Sequence, residues 1–127
     1  MNRSIAIVGA PTNIGIRTYD SGEPRQLDRA PGVLRELGLV QRLDASDLGD
    51  VIPPPYRDYV RPAGRVRNEA EVVAYCRTLC ERVEEATSSG RFAVVLGGDC
   101  SIVLGSLLGA RRSAQGSVGS CIRRCPR

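Results

Sequence analysis

Residues 97–101, Gly-Gly-Asp-Cys-Ser, put a carboxylate, a thiol and a hydroxyl in three consecutive positions behind two glycines. Cys100 offers a soft metal ligand or, beside a helix start that lowers thiol pKa, a reactive sulfur. Packed away from water it is simply a small apolar residue. Asp99 can act as a base or can fix a loop, and the second role suits a carboxylate beside a positive helix end. Ser101 is a residue type that caps such helices. Four further cysteines form two Cys-x3-Cys pairs, Cys76/Cys80 and Cys121/Cys125. Structural zinc sites use tighter knuckles, and Cys76 and Cys80 lie on an apolar stripe where free thiols pack.

The elements that must position these groups follow from apolar patterning. Phe92 to Leu96 is an unbroken apolar run rich in β formers, as in a strand covered on both faces. Gly97 and Gly98 then permit a sharp turn and a close backbone approach, exposing Asp99 and Cys100 before a helix that runs from Ser101 to Arg112. Upstream, Ser4–Ala10 is a first strand, and residues 12–28 form a polar loop containing Asn13, Arg17, Asp20 and Glu23. That loop lies at the same sheet edge as Asp99, where α/β folds place binding groups. Pro31 opens a helix through about Leu39, which Gly38 helps to end. A second strand within residues 40–51 ends at Asp-Leu-Gly-Asp-Val, with Asp44, Asp47 and Asp50 as turn and strand-end residues. After a Pro- and Arg-rich loop, Asn68 and Glu71 have the spacing of a capping box. They would open a long helix whose apolar stripe is Val72, Val73, Cys76, Leu79, Cys80 and Val83. Strands and helices alternate, which predicts an α/β fold with a mainly parallel sheet.

Composition narrows the function classes. Of 127 residues, 42% are hydrophobic and 25% charged, ordinary for a packed domain. The net charge of +4 is confined to the end of the chain. Residues 1–110 hold 13 arginines against all 14 acids, a net of −1, and five arginines follow. No basic and aromatic residues interleave as on a nucleic-acid stacking platform, so neither nucleic acid nor membrane is expected as a partner. No apolar run is long enough for a membrane span or a secretory leader, which makes the cytoplasm the expected setting. Five cysteines without an export signal are expected to stay reduced.

The motif at 97–101, preceded by Val-Val-Leu, resembles the Gly-Gly-Asp-His-Ser motif of the arginase/agmatinase/formiminoglutamase (ureohydrolase) family, with Cys100 at the His position. Three other stretches resemble that family in the same order. They are residues 21–39 with Ala-Pro and Leu-Arg, Asp-Leu-Gly-Asp-Val at 47–51, and the long helix after Asn68. The resemblance covers about residues 4–112 and matches the family's amino-terminal portion. It implies an α/β/α sandwich with a mainly parallel sheet, cut short after the third β-α unit. It also implies hydrolysis of a guanidino or amidino C–N bond by metal-bound hydroxide on two manganese ions. By the same resemblance Cys100 stands at a metal-ligand position, and Gly97, Gly98, Asp99 and Ser101 line the site.

The remaining ligand motifs of that family, Asp-x-His-x-Asp and Asp-x-Asp, do not occur: the chain contains no His, and no acid follows Asp99. A thiolate is a poor match for manganese, which prefers oxygen and nitrogen donors. The expectation is therefore a chain without catalytic residues of its own and without ureohydrolase activity by itself. The alternative is a non-catalytic homologue that acts as an interaction or oligomerisation module, pairing with itself through the open sheet edge at the third strand. Residues 1–112 form the expected domain. Residues 113–127, a Ser/Gly/Arg/Cys segment, are expected to be a disordered basic tail, the mark of a truncated or out-of-frame ending. Gly105 and Gly109 predict close helix packing.

Overall fold

The computed structural model describes residues 3–58 and 61–114. Of the expected tail at residues 113–127, Ser113 closes the last helix and residues 115–127 lie outside the described residues. The alternating order is present as β1 (Ile5–Ala10), a 3-10 turn (Gln26–Arg29), α1 (Ala30–Glu36), α2 (Leu39–Arg42), β2 (Ser46–Asp50), α3 (Glu69–Ser88), β3 (Phe92–Gly97) and α4 (Ile102–Ser113). The three strands are parallel in the order β2-β1-β3. The chain leaves β1 toward β2, then crosses back over β1 to β3. Because such crossovers are right-handed, reversing direction puts α1 and α3 on opposite faces. The result is the α/β/α arrangement.

β1 is central and carries the burial: Ala6, Ile7, Val8 and Ala10 are all fully enclosed. Its alternate residues Ala6, Val8 and Ala10 pack with Ile14, Val51, Val72, Tyr75, Leu79, Val83 and Ala86 in one cluster under α3. Each fully buried Val or Leu in it stabilises by about 1.5–3 kcal/mol. The apolar stripe of α3 is close to expectation at Val72, Leu79, Cys80 and Val83. Val73, however, points outward and is 44% exposed, whereas Tyr75 is buried. A tyrosine can enter a core when its hydroxyl finds a partner, and Tyr75 Oη donates to the Val51 carbonyl at 2.6 Å. Burial pushes its phenol pKa well up, with Asp50, Asp99 and Cys76 adding to the rise.

Three sequence expectations need correction. β3 is not covered on both faces: it pairs with β1 alone among the described residues, Phe92 is 57% exposed, and only Leu96 is buried. An apolar strand at a sheet edge lacks the neighbour that would enclose it. Second, Asn68 does not cap α3 with its side chain. It adopts a left-handed conformation (φ 48°), and its amide instead donates to Ile14 O at 2.8 Å and Arg57 O at 2.7 Å. These bonds use Nδ2 only; Oδ1, the atom with which a cap would accept a helix N–H, is buried without a partner. Third, Gly38 (φ 80°) ends the first helix as expected, but the chain then forms a short helix, α2, that the patterning does not predict. Pro31 sits in the first turn of α1 as its fixed φ favours.

α4 lies against α3 through Gly105 and Gly109, both buried. A Cβ at Gly105 would stand 2.6 Å from Cys76 O and 3.2 Å from Leu79 Cβ. One at Gly109 would stand 2.9 Å from Val83 Cβ and run into Cys80 O. On an exposed helix Gly→Ala stabilises; here it overpacks. Gly105→Ala and Gly109→Ala are each expected to lower the unfolding free energy by about 1–3 kcal/mol, measured by urea denaturation. A gain in stability at both would show that these helices are not in contact.

At the far edge, Arg35 on α1 ties down β2. Its guanidinium donates to both Asp47 oxygens at 2.8 and 2.9 Å and to Asp50 Oδ1 at 2.6 Å. The bidentate bond from Arg35 holds the Asp47 carboxyl below its usual range, and the same bond raises Arg35. A folded-state pKa below the unfolded value means that the contribution is present above about pH 3.9, the usual aspartate value. It is lost as pH falls through the lowered one. Chemical denaturation across that acid range is expected to show stability declining with pH in the wild type and a flatter profile in Arg35→Gln. Equal slopes would remove the ion pair from the account.

Candidate functional site

In a parallel sheet whose chain moves to opposite sides of β1, the crevice at the carboxyl ends of β1 and β3 is the position for a site. The Gly97–Ser101 segment and the loop after β1 meet there. Gly98 passes so near that loop that a Cβ would lie 2.7 Å from Thr12 O and 2.8 Å from Thr12 N, and against Ala10 O. A Cβ at Gly97 would strike the Ile102 side chain. Gly98 is thus required by close backbone approach, as its position suggested, whereas Gly97 faces only a movable side chain.

Asp99 is buried at 6% exposure, not exposed as the turn implied. Its Oδ2 accepts from Gly15 N at 3.1 Å and its Oδ1 from Ser101 N at 2.9 Å, while its own N–H donates to Thr12 O at 3.0 Å. The carboxylate therefore joins two segments 84 residues apart in sequence and takes up the free N–H at the start of α4. Loop fixing was the expected role, and the geometry agrees. Ser101 does not cap the helix: its hydroxyl makes no cap bond and is buried without a partner. Asp99, two residues earlier, occupies that place.

Cys100 is exposed. Cys76 Sγ donates to the Ser101 carbonyl at 3.3 Å from below the turn. Burial pushes the Cys76 thiol pKa up, with the Asp99 charge adding to the rise, so it stays a protonated donor. Cys80 is buried as a packing residue. No disposition of the described residues brings three of His, Cys, Asp and Glu together as a metal cluster. The Cys121/Cys125 pair lies outside the described residues.

The loop after β1 divides its work. Thr12, Asn13 and Ile14 are buried; Thr12 Oγ1 accepts from Ile14 N at 3.3 Å, and Asn13 Nδ2 donates to Arg25 O at 2.9 Å. Tyr56 Oη donates to Ile16 O at 3.2 Å from the Pro-rich loop. Arg17, Asp20 and Glu23 are exposed. Arg17 pairs with Asp20 at 3.1 Å, Tyr19 N donates to Glu23 O at 2.9 Å, and Arg25 stacks 4.4 Å over the Tyr19 ring. Gly15 is the residue that sequence reasoning missed. A Cβ there would stand 2.7 Å from Asp99 Oδ1, and a glycine between two isoleucines just after a strand was the available signal.

The sequence profile of the Arginase family matches residues 3–120. The chain belongs to the arginase family. It is 34% identical over 119 residues to arginase-1 of Homo sapiens, covering 87% of this chain and 34% of that protein. It is 33% identical over 116 residues to the arginase of Bacillus caldovelox, covering 87% and 37%. The solved structure of the B. caldovelox arginase superposes with a TM-score of 0.74 at 32% identity, over 87% of this chain and 37% of that one. An arginase structure from Bacillus subtilis gives 0.68 at 27% identity, over 87% and 34%. The chain spans about a third of the length of these relatives. This arginase-family segment therefore has the family's strand order, with the Gly97–Ser101 turn at the crevice between β1 and β3.

An asparagine at position 99 can accept one of the two backbone N–H groups but not both. Asp99→Asn is expected to cost about 1–3 kcal/mol, read by urea denaturation, and to speed amide exchange at Gly15 or Ser101. Unchanged exchange at both amides would overturn the bridging role.

Proposed function

We propose that this chain is the portion of an arginase-family hydrolase of guanidino or amidino C–N bonds that forms the floor of the site, and that residues 1–127 alone do not hydrolyse such bonds. The observation that carries the reading is the inward turn of Asp99. Both of its oxygens accept backbone N–H groups of the protein itself, leaving Cys100 as the outward-facing donor of the motif. A pair of manganese ions needs several carboxylates and imidazoles around one water. The donor set here does not fit that pair, since no three potential ligands cluster among the described residues. Cys100 at the His position makes the mismatch chemical as well as numerical, because manganese favours oxygen and nitrogen over thiolate.

The substrate is a small guanidino or amidino compound by family. Among the described residues Cys76, Cys80 and Cys100 form no disulfide, in keeping with a cytoplasmic setting. No helix among the described residues is long and apolar enough to cross a membrane.

Purified chain supplied with manganese and arginine, agmatine or formiminoglutamate is expected to release product at the rate of the protein-free control. Cys100→His is expected to leave both that rate and calorimetric manganese titration unchanged, since one imidazole completes no cluster. Saturable manganese uptake with product release by the wild-type chain would refute the proposal.

A further inference from the structure

The outer surface of the α3–α4 pair carries a feature that the hydrolase reading does not use. Three large apolar side chains lie side by side in water: Leu104 at 67%, Leu108 at 46% and Val73 at 44% exposure. Between them runs a groove of about 360 Å³ floored by Cys76, Cys80 and Gly105. The groove exists because Gly105 and Gly109 bring α4 against the α3 backbone and contribute no side chains to fill the space above. It faces away from the sheet, so it is separate from the open edge of β3. α4 is apolar on nearly every side until Arg111 and Arg112, the pattern of a helix that is covered all round. Exposed clusters of this kind mark interaction surfaces.

We propose that a second copy of this chain covers this face, with a two-fold axis running along the groove so that α3 of each copy lies over α4 of the other. Helix register and charge support this occupant. Contacts of Gly105 with Cys76 and of Gly109 with Cys80 fix the stagger of the two parallel helices. Leu104 is then level with residue 75 of α3, Leu108 with 79 and Arg112 with 83. On α3 the outward ridge is Val73, Arg77, Glu81 and Glu85, one residue per turn. A two-fold along the groove preserves these levels across the interface. Leu104 of one copy enters between Val73 and Arg77 of the other, where the arginine stem offers apolar cover. Leu108 enters between Arg77 and Glu81. Arg112 lands between Glu81 and Glu85, the acidic end of the ridge, in addition to its own Glu84 at 3.6 Å. Leu104 thus meets Val73 and the Arg77 stem, and Arg112 meets two carboxylates, twice by symmetry, as an isologous interface requires.

Sedimentation equilibrium on the full chain over a concentration series tests this directly. The expected species is a dimer of twice the 13.7 kDa chain mass. Burying an unpaired carboxylate at the seam is expected to weaken association about 30-fold or more in Leu104→Glu/Leu108→Glu, with the far-ultraviolet dichroism unchanged. Arg112→Glu is expected to weaken the dimer in a salt-dependent manner, and combining it with Glu81→Arg and Glu85→Arg to restore it. A wild-type chain that stays monomeric throughout would overturn the proposal. So would a dimer indifferent to the leucine substitutions, which would assign association to another surface such as the β3 edge.

Discussion

A single buried carboxylate holds together the part of this fold where chemistry would be placed. Asp99 is seated at the junction of β3 and α4, yet its oxygens serve the amides of Gly15 and Ser101. A buried carboxylate is tolerable only when its charge is met by donors, and here the backbone supplies them. The consequences spread outward. Gly98 must be glycine so that the turn can approach Thr12, and Gly15 must be glycine so that its loop can approach Asp99. The loop is then pinned from its other side by Asn68, whose amide reaches Ile14 O and Arg57 O. Four separate segments of the chain converge on one small volume, at the crevice that the β2-β1-β3 order creates.

The same constraint bears on function. A carboxylate committed to fixing backbone has its lone pairs directed into the protein, while the adjacent Cys100 faces out. The motif divides into an inner residue that builds the turn and an outer residue that the turn presents. In this chain the presented residue is a thiol. The chain belongs to the arginase family, and the donor set among the described residues is too small for the metal pair of the proposed reading.

Much of the architecture was legible because it rests on local patterning. The run from Ile5 to Ala10, the stripe of α3 and the two glycines before Asp99 each announce their structure through spacing alone. The loop-fixing role of Asp99 and the close packing at Gly105 and Gly109 were legible for the same reason. What escaped depends on partners distant in sequence. Ser101 and Asn68 have the chemistry of helix caps, but Asp99 already serves the first position, and at the second a left-handed backbone leaves Oδ1 with no N–H to accept while Nδ2 ties two loops. Val73 fits the helical period yet faces outward, because Gly105 and Gly109 draw α4 to the adjoining side of α3. Tyr75 entered the core through the Val51 carbonyl, a partner supplied only by the fold. The exposure of Phe92 follows from the edge position of β3, which no pattern within the strand encodes.

On the proposed reading, the Gly97–Ser101 turn is a backbone clamp that holds no manganese in this chain. Manganese is paramagnetic and broadens the amide signals of any residues that hold it. Titrating it into isotope-labelled chain and following the backbone amides of Gly15 and residues 97–101 is therefore the most direct test. The account predicts broadening at these amides no stronger than at exposed carboxylates elsewhere, such as Asp20. Selective, saturable loss of the Asp99 and Cys100 signals at low manganese would contradict it.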